Sequence, residues 1–146
     1  MPSDSGYERR REELMRQAPL RPRGLVMRDG GRYLLCGTIG CEFDQWQRRL
    51  SAMSAADALI AQEIGLDAVE RLMDELEADA RKDAERAGIS LKPRRSPGYG
   101  DLPLALSREI VDRLDAARRI GVSVTSADLL SPSKSVTAIC EVQDDV

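Results

Sequence analysis

The chain has 146 residues, 42% of them hydrophobic and 32% charged, with a formal net charge of −3. That length fits one domain able to bury a real core, and the composition is that of a globular chain rather than a disordered one. Charges of both signs are interspersed, which argues against a nucleic-acid partner, and no apolar run approaches the ~20 residues of a membrane span.

Histidine is absent. This removes the usual general base and the commonest metal ligand, so a Ser-His or Cys-His nucleophile within the chain is excluded. Cys36, Cys41 and Cys140 are too few and too widely spaced for a zinc site, and Cys36 to Cys41 is not a C-x-x-C redox spacing. With no secretory signal, we expect reduced thiols in a cytoplasmic protein, all three buried as small core residues. Aromatics are limited to Tyr7, Tyr33, Phe43, Trp46 and Tyr99. The core must therefore be aliphatic.

Residues 1–6 are expected to fray, and Tyr7 to Ala18 to form a helix with only Leu14 and Met15 on its apolar side. So thin a stripe predicts weak docking, and Arg9-Arg10-Arg11 reads as a solvated face. Pro19, Pro22 and Gly24 end that helix. Residues 1–22 are thus set apart as a flexible or helical extension, with the folded domain over 23–143 and a tail at 144–146.

Leu25-Val26-Met27-Arg28 and the run from Arg32 to Ile39 flank Asp29-Gly30-Gly31, the pattern of a β-hairpin. Gly37 and Gly40 mark close backbone approach, or a bulge and a strand exit. Glu42 to Met53 places Phe43, Trp46, Gln47 and Leu50 at helical spacing, with Trp46 as a core anchor. Ser54 caps a long helix from about Ala55 to Arg86, and Asp57 suits its positive end. Its stripe runs Leu59/Ile60, Ile64, Ala68/Val69, Leu72/Met73, Leu76 and Ala80. Only alanines remain on it beyond Leu76, which predicts a second half more exposed than the first. Gly65 costs about 1 kcal/mol relative to Ala, so either a close crossing compensates or the helix breaks there. Gly88 is its stop.

Ile89-Ser90-Leu91 is expected as a short strand, Ser107 to Arg119 as a helix capped by Ser107 and ended by Gly121, and Val122 to Thr125 as another short strand. After a turn-rich crossing through Ser131-Pro132-Ser133-Lys134-Ser135, residues 136–142 alternate as a final strand. The fold class is α+β: an open, mostly antiparallel twisted sheet of four or five strands, covered by one long and at least two shorter helices.

Chemistry concentrates in the loop Lys92-Pro93-Arg94-Arg95-Ser96-Pro97-Gly98-Tyr99-Gly100-Asp101-Leu102-Pro103. Its prolines and glycines exclude a helix interior. Either it is a stiff solvated linker, or it is a ligand-gripping edge. In the second case Arg94 or Arg95 holds a carboxylate in bidentate fashion. Tyr99 then stacks on a planar ring, and backbone groups around Gly98 read the ring's edge. That set suits an amino-acid-bearing nucleoside better than a phosphate chain, and no Walker or Rossmann glycine loop is present. Ser133, Lys134 and Ser135 form a possible second loop of the same site, in which Lys134 is either a solvated turn residue or a ligand contact.

Arg94-x-x-Pro97-Gly98-Tyr99, then a helix, then Gly121-Val-Ser-Val-Thr125 and Ser131-Pro132-Ser133-Lys134-Ser135-Val136-Thr137, resembles the activation domain of cobalamin-dependent methionine synthase. There an R-P-A-P-G-Y loop precedes a helix, a "G-hydrophobic-x-L-T-E-S" strand and "P-x-x-S-V-S-G". Thr38-Ile39-Gly40 and the run from Ala55 to Gly65 resemble the corresponding region of stand-alone relatives, so the likeness spans residues 33–142. It implies a domain that binds S-adenosylmethionine in a shallow groove and docks over a cobalamin-carrying methyltransferase module. Cobalamin is remethylated there with electrons from a flavodoxin- or ferredoxin-type donor. Such a domain positions the methyl donor and needs no catalytic residue of its own. By the resemblance Arg94 takes the ligand carboxylate, Tyr99 lies beside the ligand, and Pro97 and Gly98 make backbone contacts on the adenine side. Arg95 replaces the family's proline, so either arginine can fill the carboxylate role. The glutamate of "T-E-S", the acidic ligand residue of the larger domain's N-terminal part and its final aromatic segment have no match here. The resemblance also allows a non-catalytic docking module that completes a split methyltransferase, with a vestigial groove.

Overall fold

The computed structural model describes residues 4–143, so residues 1–3 and the tail at 144–146 lie outside the described residues. The protein is α+β. A hairpin of β1 (Arg23–Asp29) and β2 (Arg32–Thr38) turns at Gly30, whose φ is 62°. β5 (Ser135–Glu141) pairs antiparallel with the other edge of β2, giving the order β1-β2-β5. Tyr33-Leu34-Leu35-Cys36 on β2 is buried throughout because both faces of the sheet are covered, the reason this strand reads as a continuous apolar run.

One face is covered by α3 (Ala55–Arg86), 32 residues and so about 48 Å long. Ser54 caps it by accepting from the Asp57 amide at 3.2 Å. It ends at Ala87 in a Schellman arrangement: Ile89 N–H donates to Ala84 C=O at 2.9 Å and Gly88 N–H to Glu85 C=O at 3.0 Å. The helix is not broken at Gly65. Its second half is the more exposed, as expected, and the alanines Ala80 and Ala84 on the stripe are buried against Tyr33, Leu35 and Cys140. Small side chains let the helix approach the sheet closely. At Gly37 the approach is closer still, since a Cβ there would sit 2.9 Å from Met73 Sδ. That decides between the two readings of Gly37 in favour of close approach.

The other face of the sheet packs on α4 (Leu106–Leu114) and α5 (Ala116–Ile120) through Leu34, Cys36, Ile110, Leu114 and Ile120. These replace the single helix expected over Ser107–Arg119. Asp115 turns left-handed, φ 52°, and separates them, a conformation that Asp tolerates better than most residues. Ser107 is not the cap. It is buried, its hydroxyl 3.1 Å from Thr137 Oγ1.

A third cluster joins α1 (Asp4–Gln17), α2 (Cys41–Met53) and the first half of α3 around Leu14, Ile39, Phe43, Trp46 and Ile64. Trp46 meets Phe43 edge-on at 5.3 Å. Residues 4–6 are helical rather than frayed, and α1 docks firmly. Leu14 is fully buried, Arg10 holds both Asp57 oxygens at 3.0 and 2.6 Å, and Arg11 holds Asp67 at 2.6 Å. Counting apolar positions missed this because the complement to α3 is ionic. Cys36 and Cys140 are buried, whereas Cys41, the first residue of α2, is exposed.

The sheet has three strands rather than four or five. β3 (Ser123–Val124) and β4 (Leu130–Ser131) form a separate two-stranded ribbon. The expected strand at Ile89–Leu91 makes only a single bridge, Leu91 to Val142. Pro93 lacks an N–H and interrupts the ladder that would have continued it.

Candidate functional site

The loop from Lys92 to Pro103 is largely exposed, but its first part is tied to the sheet. Lys92 N–H donates to Glu141 C=O at 2.8 Å, and Arg95 exchanges two backbone bonds with Ile139 at 2.9 and 2.8 Å. The loop is thus an irregular fourth edge on β5. Farther on, Gly98 N–H donates to Leu102 C=O at 2.9 Å and Tyr99 N–H to Ser96 C=O at 3.2 Å, closing a tight turn in which Gly98 has φ 91°. Those two N–H donors are used inside the loop.

Between this loop, the middle of α3 and residues 128–137 lies a groove of about 1000 Å³. Arg94, Arg95, Pro97, Tyr99, Ser133 and Ser135 all line it, so the two loops singled out in the sequence meet in space. Gly98 and Lys134 are not on its wall. Pro97 is buried under the turn, and Tyr99 is 75% exposed at the rim. Leu66, Leu104 and Leu129, also exposed, complete an apolar rim.

Arg94 is held by three carboxylates of α3. Nη1 reaches Asp74 at 2.8 Å and Glu77 at 2.9 Å, and Nη2 pairs with Glu70. Burial opposes the Arg94 charge, but Asp74 and Glu77 outweigh it and raise its pKa. Burial likewise pushes the Glu77 carboxyl up, yet bonds from Arg81 and Arg94 prevail and hold it below the usual range. Of the three acids only Glu70 lines the groove. Arg95 is more exposed and pairs with Asp101 at 2.7 Å and Glu141 at 3.1 Å. Both guanidinium groups already have carboxylate partners.

The second loop is pinned rather than solvated. The Ser133 amide and hydroxyl both donate to Asp44, at 2.8 and 2.5 Å, and the Ser135 hydroxyl reaches Thr38 Oγ1 at 2.8 Å. Lys134, expected either in solvent or on a ligand, is 7% exposed and points away from the groove between α2 and α3. Glu70, Leu66 and Leu129 were missed by sequence reasoning. Glu70, Asp74 and Glu77 stand at i, i+4 and i+7, an acidic ladder on one face of α3, and Leu66 lies off the apolar stripe. Both signals were readable.

Among the described residues no helix is long and apolar enough to cross a membrane, and no group of three or more Cys, Asp and Glu could hold a metal ion. No family model and no curated protein matches the chain. Among solved structures the chain is similar to the crystal structure of the MetH reactivation domain bound to AdoHcy, with a TM-score of 0.56 and 17% identity. The match covers 79% of this chain and 40% of that one, so the chain spans well under half of its length. The activation-domain-like fold expected from the motifs is present.

Proposed function

We propose that the protein is an S-adenosylmethionine-binding accessory domain that serves reductive remethylation of cobalamin carried by a methyltransferase module, as part of methionine biosynthesis. The observation that carries this reading is the groove in which Arg94, Pro97 and Tyr99 face Ser133 and Ser135. It lies in a fold shared with a domain crystallised with AdoHcy. In this role S-adenosylmethionine supplies the methyl electrophile, and the chain's own residues only bind and orient it.

Arg94 takes the ligand carboxylate by exchanging its Glu70 partner, the one acid of the three at the groove wall. Asp74 and Glu77 meanwhile keep the guanidinium oriented. Arg95 stands 42% exposed beside it as the alternative partner. The exposed Tyr99 ring offers a flat face for the adenine. The apolar rim of Leu66, Leu104 and Leu129 is where the cobalamin-carrying partner covers the site, with a flavodoxin- or ferredoxin-type protein as electron source. Work with such partners implies a cytoplasmic protein.

A specific observation favours a second reading, in which the domain docks without binding ligand. Arg94 already has three carboxylate partners. Titration calorimetry with S-adenosylmethionine separates the two. The first reading expects saturable binding that weakens in Arg94→Ala and Tyr99→Ala. No heat at millimolar ligand sinks it and leaves the docking module, for which a cobalamin-loaded methyltransferase module would bind without any ligand dependence.

A further inference from the structure

Lys134 is a cation buried in a place the groove does not explain. Its Nζ lies 3.2 Å from Gln47 Oε1 and 3.4 Å from Ser133 Oγ. The ammonium stands 5.8 Å above the Phe43 ring centre, close enough for a cation–π contact. Among the described residues it has no salt bridge, although Asp44 of α2 lies within electrostatic reach. Burial lowers its pKa, and Asp44 offsets that only in part. The side chain fits because Gly65 has none: a Cβ there would come within 3.1 Å of Lys134 Cε. Gln47 is itself held by Gln62 of α3, its Nε2 donating to Gln62 Oε1 at 2.8 Å.

A buried, incompletely neutralised ammonium costs free energy that an aliphatic side chain would not. Surface solvation does not explain it. What the position does achieve is a tether. The Lys134 carbonyl accepts from the Ile39 amide at 3.2 Å, and the neighbouring Ser133 is clamped by Asp44. Ser133 and Ser135, on either side, line the groove.

We propose that Lys134 is a positioning residue for the groove: its ammonium, lodged over Gly65 and held by Gln47, fixes the 131–135 turn that forms one wall. It reaches behind the wall and touches no ligand. The consequence for binding rests on the proposed S-adenosylmethionine role, while the tether itself does not.

The experiment uses the full chain with Lys134→Met, which keeps length and apolar volume, and Gln47→Leu, alone and combined. Hydrogen exchange is followed at the Ser133 and Ile39 amides, and S-adenosylmethionine affinity by calorimetry. Lys134→Met should keep its melting transition while exchange at both amides speeds up about tenfold and affinity falls about tenfold. The double variant should add little, because both substitutions break the same tether. Unchanged exchange, or fully additive effects, would overturn the tether. Faster exchange with unchanged affinity would overturn the claim that it sets the groove. If wild type binds no ligand, the proposed function falls, and the exchange data still decide on Lys134.

Discussion

Replacing Gly65 by alanine sets two effects of similar size against each other. In a helix interior the change gains about 1 kcal/mol of intrinsic propensity. The added Cβ, however, would lie 2.7 Å from Phe43 Cε1, 2.9 Å from Phe43 Cζ and 3.1 Å from Lys134 Cε. Distances below 3.0 Å cannot stand, so something has to move. Phe43 is fully buried and packed edge-on against Trp46 at 5.3 Å, and Lys134 is only 7% exposed. Neither is free to swing into solvent. Overpacking of a filled core costs about 1–3 kcal/mol, so steric strain should win by roughly 1 kcal/mol. That is a fall of about 3 °C in Tm for a chain of this size. Urea unfolding followed by far-UV circular dichroism measures it, with Ala78→Gly on the exposed face of α3 as the propensity baseline. A Gly65→Ala protein more stable than wild type by the full propensity gain would refute the close-crossing argument.

Three further outcomes follow from the geometry. Arg94→Ala removes three ion pairs, of which only the Glu77 pair has both side chains below 20% exposure. Destabilisation of about 1–3 kcal/mol is expected in urea, and wild-type stability in that variant would contradict the assigned network. Tyr99→Ala, at a 75% exposed ring, should change stability by less than about 0.5 kcal/mol while weakening S-adenosylmethionine about tenfold. A drop in stability without a drop in affinity would place the ring in the core rather than at the ligand. Burial pushes the Cys36 thiol up to about 12 and the Cys140 thiol up to about 11, against an unfolded value of 9.0. The folded chain keeps protons that the unfolded chain sheds. Their contribution is therefore complete below pH 9.0 and lost as pH rises toward 11 and 12, by about 1.4 kcal/mol per pH unit for each thiol. Lys134 acts in the opposite sense, because its lowered pKa makes the folded state bind fewer protons than the unfolded one. Unfolding curves from pH 8 to 11 should be flatter for Cys36→Ala/Cys140→Ala than for wild type, and an identical slope would refute the assignment.

Much of the fold was legible because local patterns carried it. The hairpin follows from Asp29-Gly30 between two β-rich runs, and the long helix from its stripe, the Ser54 cap and the Gly88 stop. Errors fell where tertiary contacts decided. Asp115 in a left-handed turn breaks what reads as one helix. Arg10 and Arg11 dock a helix that counting apolar residues left loose.

For the site, residue types and order in sequence were enough to single out the Arg94–Tyr99 turn and the Ser133–Ser135 turn. Both are punctuated by Pro, Gly and Ser, which set backbone shape locally. Their meeting across one groove is a tertiary result, since it depends on loop 92–103 pairing with β5 and on Asp44 clamping Ser133. The state of each charge was decided there too. Arg94 is held by α3, and Lys134 is buried where Gly65 leaves room. Backbone preference and hydrophobic period act over a few residues and can be read along the chain. The electrostatic partners of a side chain lie tens of residues away, and only folding brings them within reach.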